Sequence, residues 1–426
     1  MEKIKAIILA AGKGTRMKSD KSKVLHEIFG KTLLGYVLDA VNSTNMVDKS
    51  FVIVGHQAEN VADFVSNNYS NAQTVLQSPQ LGTGHAVSMV CPKLENFDGQ
   101  VLILCGDTPL ITSETLIEFI NYHKNQNSDI TVMSAVFGNP TNYGRIIRNG
   151  EKLEGIIEEK DANVNQKNIK EVNAGIYCLN WSKVKSAFSE LKNNNAQGEY
   201  YLTDIISWGV KNKLNTNVYT IKDNNEIFGI NSKAHLAQAA YILNKKNINK
   251  HLENGVTIVD TNSVWISPDT QIGADTIIYP NVYITGKNKI GKNCKIGPFA
   301  HIRGDVELSD NVKIGNFVEI KKSKINSNTN VCHLSYIGDS SLGQNVNIGA
   351  GTITANYNHF TKVKSNTVIK DGSSIGSNSV LVAPVTIGKR CSVGAGSVIT
   401  KDIDNSALAL TRAPLRVVEN YVKADK

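Results

Sequence analysis

Apolar and polar positions follow two different rhythms along this chain, and the change falls near Gly255. Up to about residue 228, short apolar runs alternate with helical stripes. Ile4–Leu9, Phe51–Val54 and Val101–Cys105 have the continuous apolar character of strands buried on both faces. Between them, Leu33–Val41, Val61–Asn67 and His85–Val90 read as helices. This alternation predicts a doubly wound α/β sheet. Later strand candidates, Ile130–Phe137, Gly144–Arg148, Leu153–Glu158 and Asn173–Leu179, follow one another more closely, as in an α+β elaboration. Ala234–Leu252 reads as one connecting helix, with Leu236, Ala239, Ala240 and Leu243 on a stripe.

After Gly255 an apolar residue recurs every six positions: Ile266, Ile272, Ile278, Ile284, Ile290, Ile296, Ile302, Leu308, Ile314 and Ile320. Two shortened steps carry the ladder through Ile325, Val331, Ile337, Leu342 and Ile348. It resumes at Ile369, Ile375, Leu381, Ile387, Val393 and Ile399. Glycine follows many of these rungs, as at 273, 291, 297 and 315. A helical period cannot generate sixes. A coil of short strands and tight corners can, because each rung points inward and the next position turns. The segment from about Ile266 to Ile399 is therefore predicted to be a hexapeptide-repeat parallel β-helix, of a hand that the period does not give. Between Gly349 and Val368 the ladder breaks for about one coil, in a stretch holding Asn356, Tyr357, Lys362 and Lys364. Such an excursion either carries function on the outside of the coil or is a neutral insertion.

Composition changes this picture little. The chain has 426 residues, 41% hydrophobic and 20% charged, which suits a soluble protein of two or three domains. No apolar run approaches the roughly 20 residues that span a bilayer. Ala6–Ala11 is too short for a signal-peptide core, so it reads as a first strand and the protein as cytoplasmic. The six cysteines lie far apart without a CxxC pair, which fits neither a zinc site nor a disulfide framework. Charge matters more: residues 229–426 hold 23 Lys+Arg against 14 Asp+Glu, while residues 1–228 hold 23 against 24. A basic C-terminal half suits nucleic acid or a small polyanion. No nucleic-acid motif is present, so the small ligand is preferred.

Several residue sets carry candidate chemistry. The first strand runs into Leu9-Ala10-Ala11-Gly12-Lys13-Gly14-Thr15-Arg16-Met17, whose small residues let backbone N–H groups approach phosphate. The turn is neither GxGxxG nor a P-loop, and a purely structural turn stays open. Arg16 and Lys23 nearby would neutralise a triphosphate. Gln80-Leu81-Gly82-Thr83-Gly84-His85 is a second such turn, or an ordinary helix start. Asp107 follows Cys105-Gly106 at the carboxyl end of a buried strand, where open α/β sheets bind ligands. It suits Mg²⁺ or a turn cap. His333, with Glu319 nearby in sequence, is a general-base candidate or a structural histidine. Only His301, His333 and His359 occur in the β-helix, at spacings that do not suggest a shared zinc.

LAAGKGTRM, QLGTGHA, GDTPL, YGRI, NNNAQGEYYLTDII, IGPFA, GNFVEIKK, HLSYIGD, NVNIGAGTITANY and VLVAPVTIG, in this order, resemble one bifunctional bacterial family. It is the N-acetylglucosamine-1-phosphate uridylyltransferase / glucosamine-1-phosphate N-acetyltransferase family. The resemblance implies an α/β nucleotidyltransferase (Rossmann-like) domain over 1–228 and a linker helix over 229–254. A left-handed β-helix acetyltransferase domain over 255–403 and a tail over 404–426 would follow. It implies a homotrimer, binding no nucleic acid or membrane. It also implies acetyl transfer from acetyl-CoA to glucosamine 1-phosphate, then uridylyl transfer from UTP to N-acetylglucosamine 1-phosphate with release of pyrophosphate. Carried onto this sequence, Leu9, Ala10, Ala11, Gly12, Gln77, Gly82, Thr83, Cys105 and Gly106 would hold the nucleotide, with Arg16 and Lys23 catalytic. Gly144, Glu158 and Asn173 would hold the sugar, and Asp107 and Asn231 would hold Mg²⁺. His333 would be the acetyl-site base, oriented by Glu319 and Asn356. Arg303, Lys321, Tyr336 and Asn347 would grip the sugar phosphate. Ala350, Asn356, Tyr357, Lys362, Ser377, Ala395 and Arg412 would contact acetyl-CoA.

There are departures. Ser22 stands where the family has proline, Gly304-Asp305 where it has Pro-Gly, and Cys332 where it has glycine. The stretch between Asn231 and Gly297 is shorter by roughly two coils. Two rival readings remain: a single-activity sugar-1-phosphate nucleotidylyltransferase with a structural β-helix, and a non-enzymatic regulatory subunit.

Overall fold

The structure, a computed structural model, describes residues 4–411, 413–419 and 421. It divides into two compact units, Met1–Ile242 and Leu243–Lys426, and the division falls inside the helix Lys233–Glu253.

In the first unit nine strands form one sheet. They are β1 (Ile4–Leu9), β2 (Val47–Val54), β3 (Ala72–Leu76), β4 (Gln100–Cys105), β5 (Ile130–Val136), β6 (Arg145–Asn149), β7 (Lys152–Ile157), β8 (Glu171–Asn180) and β9 (Thr216–Thr220). The order is β9-β5-β8-β4-β1-β2-β3, with the β6–β7 hairpin attached through β8. β3, β2, β1 and β4 run parallel, whereas β8 is antiparallel to β4 and β5. Alternate residues of β1 serve opposite cores. Ala6 and Ile8 pack with Leu34 and Leu38 of the helix Leu33–Ser43, and Ile7 packs with Ile103 and Val87 on the other face. β1 is flanked by β2 on one side and β4 on the other, so the chain reverses its winding there. A crevice must open beyond the carboxyl ends of β1 and β4.

The second unit is a three-faced parallel β-helix, and among the described residues its sheets hold nine, eight and seven short strands. Lys295 pairs with Lys313, a coil of 18 residues; Lys313 pairs with Asn330, a coil of 17; Asn347 pairs with Ser374, a coil of 27. Each rung of the six-residue ladder is buried in one continuous core, except that Ile272 is only partly buried against it. Many corners fall on Asn with positive φ, among them Asn281, Asn293, Asn311, Asn328 and Asn345. Asparagine is the side chain that best tolerates the left-handed region. The helix Lys233–Glu253 buries Ile248 against the first coil. There the Asn244 amide donates to Val264 O (2.8 Å), its Oδ1 accepts from Ile266 N (3.0 Å), and the Asn247 amide donates to Ile266 O (2.7 Å). These bonds satisfy backbone that an open coil end would expose. Among the described residues no helix is long and apolar enough to cross a membrane.

The ladder is interrupted for less than the expected coil. Ile353–Ala355 is a regular strand, and Thr354 occupies the rung position, in register with Leu381. Its hydroxyl accepts from Gly338 N at 2.8 Å inside the core. A polar rung is invisible to an apolar pattern. Thr354→Val keeps the shape but removes the acceptor, leaving a buried N–H unpaired. We expect a destabilisation of about 1–3 kcal/mol, read as a lower melting temperature.

Candidate functional site

Two adjoining cavities fill the crevice of the first unit. One, about 580 Å³, is lined by Leu9, Ala10, Ala11, Gly12, Gln77, Gly82 and Thr83 among others. The second, about 400 Å³, takes in Arg16, Gly144, Asn173 and Asn231. Cys105 and Asp107 line both. The two glycine turns need glycine for steric reasons. Gly14 has φ 60°, and a Cβ there would lie 2.8 Å from the Lys23 Cβ. Gly82 has φ 110°, and a Cβ would lie 2.6 Å from Tyr200 O. Gln80 ties the turns together, donating to Ala11 O at 2.5 Å.

The centre of the crevice is a three-residue constellation. The Lys23 ammonium forms an ion pair with Asp107 and donates to Asn231 Oδ1 at 3.1 Å. Two side-chain oxygens thus converge on one cation, the donor chemistry and direction that a hard divalent ion requires. Among the described residues there is no cluster of three or more His, Cys, Asp and Glu suited to a metal. The rest of such an ion's shell would come from phosphate oxygens and water. Gly106 N bonds to Leu9 O (2.9 Å), joining the ends of β1 and β4 beneath this centre. Burial pushes the Cys105 thiol up to about 12, so it serves as wall rather than nucleophile.

Other expected residues are held less directly. Gln77 is buried and donates to Gly82 O at 2.9 Å. The Thr83 hydroxyl accepts from Leu202 N at 3.0 Å. Asn173 donates to the Tyr177 hydroxyl (2.9 Å) and accepts from Gly175 N (2.9 Å). Glu158 is absent from both cavity linings, but its Oε2 would lie 3.5 Å from a Cβ on Gly144. Burial raises its carboxyl above the ordinary range. Tyr143 and His235, which the sequence reading passed over, line the smaller cavity. Tyr143 opens the YGRI motif beside Gly144, a signal that could have found it, whereas His235 lies outside every motif and only tertiary packing brings it in.

In the β-helix, strand register stacks residues from successive coils into one column. Asn316 pairs with His333. Leu334 N→Asn316 O (3.1 Å), Gly351 N→His333 O (3.2 Å), Asn378 N→Ala350 O (2.7 Å) and Gly396 N→Ser377 O (2.8 Å) continue the ladder upward. Asn316, His333, Ala350, Ser377 and Ala395 therefore lie above one another, about 4.8 Å apart per coil. Above the imidazole the column is lined by small side chains only. A neighbouring face carries the charges. Arg303 pairs in register with Lys321, and its guanidinium donates to Glu319 at 2.8 Å, a bond that raises the Arg303 pKa. Tyr336 lies in the coil above Glu319. The Lys364 ammonium beside Lys321 lowers the Lys321 pKa, because each cation disfavours charge on the other. Asn347 is exposed on its strand in register with Asn330. Tyr357 bridges to Lys364 across the loop that also carries exposed Lys362.

Two expected contacts are not made. Glu319 and Asn356 were expected to orient His333. Instead Glu319 holds Arg303, and the Asn356 amide donates to Asp339. The partner of His333 is Asn316, at 2.9 Å from Nδ1. The reason is geometric: adjacency between coils is set by register, 17 residues apart here, and not by nearness along the chain. Arg412 lies outside the described residues. The departures at 304–305 and 332 leave the registers of Arg303 and His333 intact. Gly304 and Asp305 turn together with φ 53° and 55°.

Comparison with known proteins matches these two halves. The MobA-like NTP transferase domain profile fits residues 6–166, and the bacterial transferase hexapeptide profile fits residues 289–322 and 366–401. The second unit is thus a left-handed β-helix of hexapeptide repeats. A bifunctional protein GlmU from Acetivibrio thermocellus is 41% identical over 456 residues, covering 99% of this chain and 98% of that protein. One from Staphylococcus epidermidis is 43% identical over 454 residues, covering 98% and 99%. An alignment of 456 positions against 426 residues leaves at least 30 positions of the former without a counterpart here.

Proposed function

Since this chain belongs to the bifunctional GlmU family, we propose that its two units make UDP-N-acetylglucosamine in two successive transfers. The β-helix acetylates glucosamine 1-phosphate from acetyl-CoA, and the α/β unit then joins the product to UTP. The observation that carries the reading against a single-activity enzyme is the column of Asn316, His333, Ala350, Ser377 and Ala395. It sets a basic nitrogen below a trough of small side chains long enough for an extended thioester arm.

In the acetyl site His333 takes a proton from the sugar ammonium. The freed amine attacks the thioester carbonyl, the carbon–sulfur bond breaks, and the CoA thiolate leaves and is protonated. Arg303, Lys321, Tyr336 and Asn347 hold the sugar phosphate, while Ala350, Asn356, Tyr357, Lys362, Ser377 and Ala395 flank CoA. In the uridylyl site the sugar phosphate oxygen attacks the α-phosphorus of UTP and pyrophosphate departs. Arg16 and Lys23 neutralise the charge that moves onto the leaving group. Asp107 and Asn231 would hold Mg²⁺, which draws charge from the phosphates and fixes their geometry. Leu9–Gly12, Gln77, Gly82 and Thr83 line the nucleotide side, and Gly144, Glu158 and Asn173 the sugar side.

We read the protein as a cytoplasmic homotrimer. Six free cysteines support a reducing compartment. Phe299 and Phe317 stack at 5.3 Å on one corner of the β-helix, continued by Leu334, and all three are half exposed or more. Such an apolar corner supports contact with further copies. The shortfall of at least 30 positions supports the loss of roughly two coils between Asn231 and Gly297.

The test supplies glucosamine 1-phosphate, acetyl-CoA, UTP and Mg²⁺, and follows CoA thiol and pyrophosphate separately. Both are expected, with pyrophosphate dependent on acetyl-CoA. Pyrophosphate from N-acetylglucosamine 1-phosphate without any thiol release would leave the single-activity enzyme. Neither product would leave the regulatory subunit.

A further inference from the structure

Among the described residues the acetyl-site histidine is held by Asn316, a residue to which no role has been given. Asn316 closes the strand Lys313–Asn316, one coil below His333, and the two are paired in register. Asn316 Oδ1 lies 2.9 Å from His333 Nδ1. From this geometry we infer that Asn316 is the positioning residue of the acetyl site, fixing the imidazole as its Nδ1–H tautomer. The inference rests on His333 being the base.

The chemistry follows from the two ring nitrogens. A neutral imidazole has one N–H and one lone pair, and the hydrogen bond at one nitrogen decides which nitrogen keeps the lone pair. An amide oxygen accepts and cannot donate, so it holds the proton on Nδ1 and leaves the Nε2 lone pair to the amine. Glu319 does not serve this purpose, because its carboxylate is engaged by Arg303. The difference matters for acidity. A carboxylate at Nδ1 would stabilise the imidazolium and raise its pKa. A neutral amide fixes the tautomer without adding that charge.

The local chain supports this assignment. Gly315 precedes Asn316, and a Cβ there would lie 1.8 Å from Cys332 O. The two coils therefore approach closely where the Asn316 and His333 side chains meet. Leu334 N closes the pair from the other side by bonding to Asn316 O at 3.1 Å.

The test has two parts. In the full-length protein, nitrogen-15 shifts of the His333 ring report the tautomer directly. The Nδ1–H form is expected, and an Nε2–H form overturns the inference whether or not any variant folds. For the variants, Asn316→Leu is expected to lower acetyl-transfer kcat by about tenfold to a hundredfold, with KM for glucosamine 1-phosphate within about threefold and pyrophosphate release from UTP and N-acetylglucosamine 1-phosphate unchanged. Asn316→Asp is expected to keep much of the rate at high pH and to move the acidic limb of the kcat/KM profile upward. A leucine variant within about twofold of the parent, with an unmoved pH profile, reduces Asn316 to a corner residue. Absence of acetyl transfer in the parent protein would instead sink the functional reading, while the ring shifts still decide the Asn316–His333 bond.

Discussion

His333→Ala is expected to lower acetyl transfer by on the order of a thousandfold, while pyrophosphate release from UTP and N-acetylglucosamine 1-phosphate stays within about twofold. The amine of glucosamine 1-phosphate is largely protonated near neutral pH and cannot attack a thioester until it loses that proton. His333 is the one imidazole on the column beneath the small-residue trough. Its side chain is exposed, so truncation removes little packing and should leave the melting temperature near that of the parent. Binding of glucosamine 1-phosphate should survive, because Arg303, Lys321 and Tyr336 stand on another face of the coil. The expected signature is therefore a fall in kcat with a steady KM. Continuous thiol release measures it. An alanine variant that is folded and keeps a tenth of the parent rate would mean that the proton goes elsewhere.

The sequence made the scaffold legible to the residue, because a β-helix repeats one physical constraint in every coil. Ile266 to Ile399 had to be apolar to fill the core, and that requirement is visible at once. Thr354 escaped because it meets the same constraint with a hydroxyl paired to Gly338 N. The α/β unit was legible in its central strands, which are apolar on both faces, and not at its two edges, where Ala72–Leu76 and Thr216–Thr220 are largely polar and partly exposed. Its helix ends were drawn too short, as at Ala58–Asn68, whose first turn is polar. The sites were legible where short glycine motifs carry them and illegible where contact depends on register. Glu319 lies near His333 in sequence and has a carboxylate, yet it points to Arg303. Asn316 stands inside the recognised GNFVEIKK segment, 17 residues before His333. Counting one shortened coil back from the histidine would have found it. Tyr143 opens the YGRI motif and was within reach, whereas His235 had no such signal, since it enters the crevice from the helix Lys233–Glu253.

Asp107→Ala is expected to produce the opposite separation, a loss of uridylyl transfer on the order of a hundredfold to a thousandfold with acetyl transfer unchanged. Asp107 lies two residues beyond β4 and faces Lys23, and the two side chains are only 16% and 14% exposed. Removing the carboxylate does two things with different signs. It deletes the anionic ligand that would hold Mg²⁺, so the transition state loses charge neutralisation, and a higher Mg²⁺ concentration should recover only part of the rate. It also frees the Lys23 ammonium, which keeps its bond to Asn231, in the cavity proposed for the triphosphate. Affinity for UTP measured without divalent metal should therefore rise, even as kcat falls. A mere loss of structure would lower both, and calorimetry of UTP binding in chelator separates the cases. Asp107→Asn sharpens the test, because it keeps an oxygen near the same place and discards the charge. It should bind metal-free UTP like the alanine variant and stay catalytically weak, if charge on Asp107 is what the reaction needs. A folded asparagine variant within about threefold of the parent kcat would show that position 107 supplies only an oxygen, and that the electrostatic account of this site is wrong.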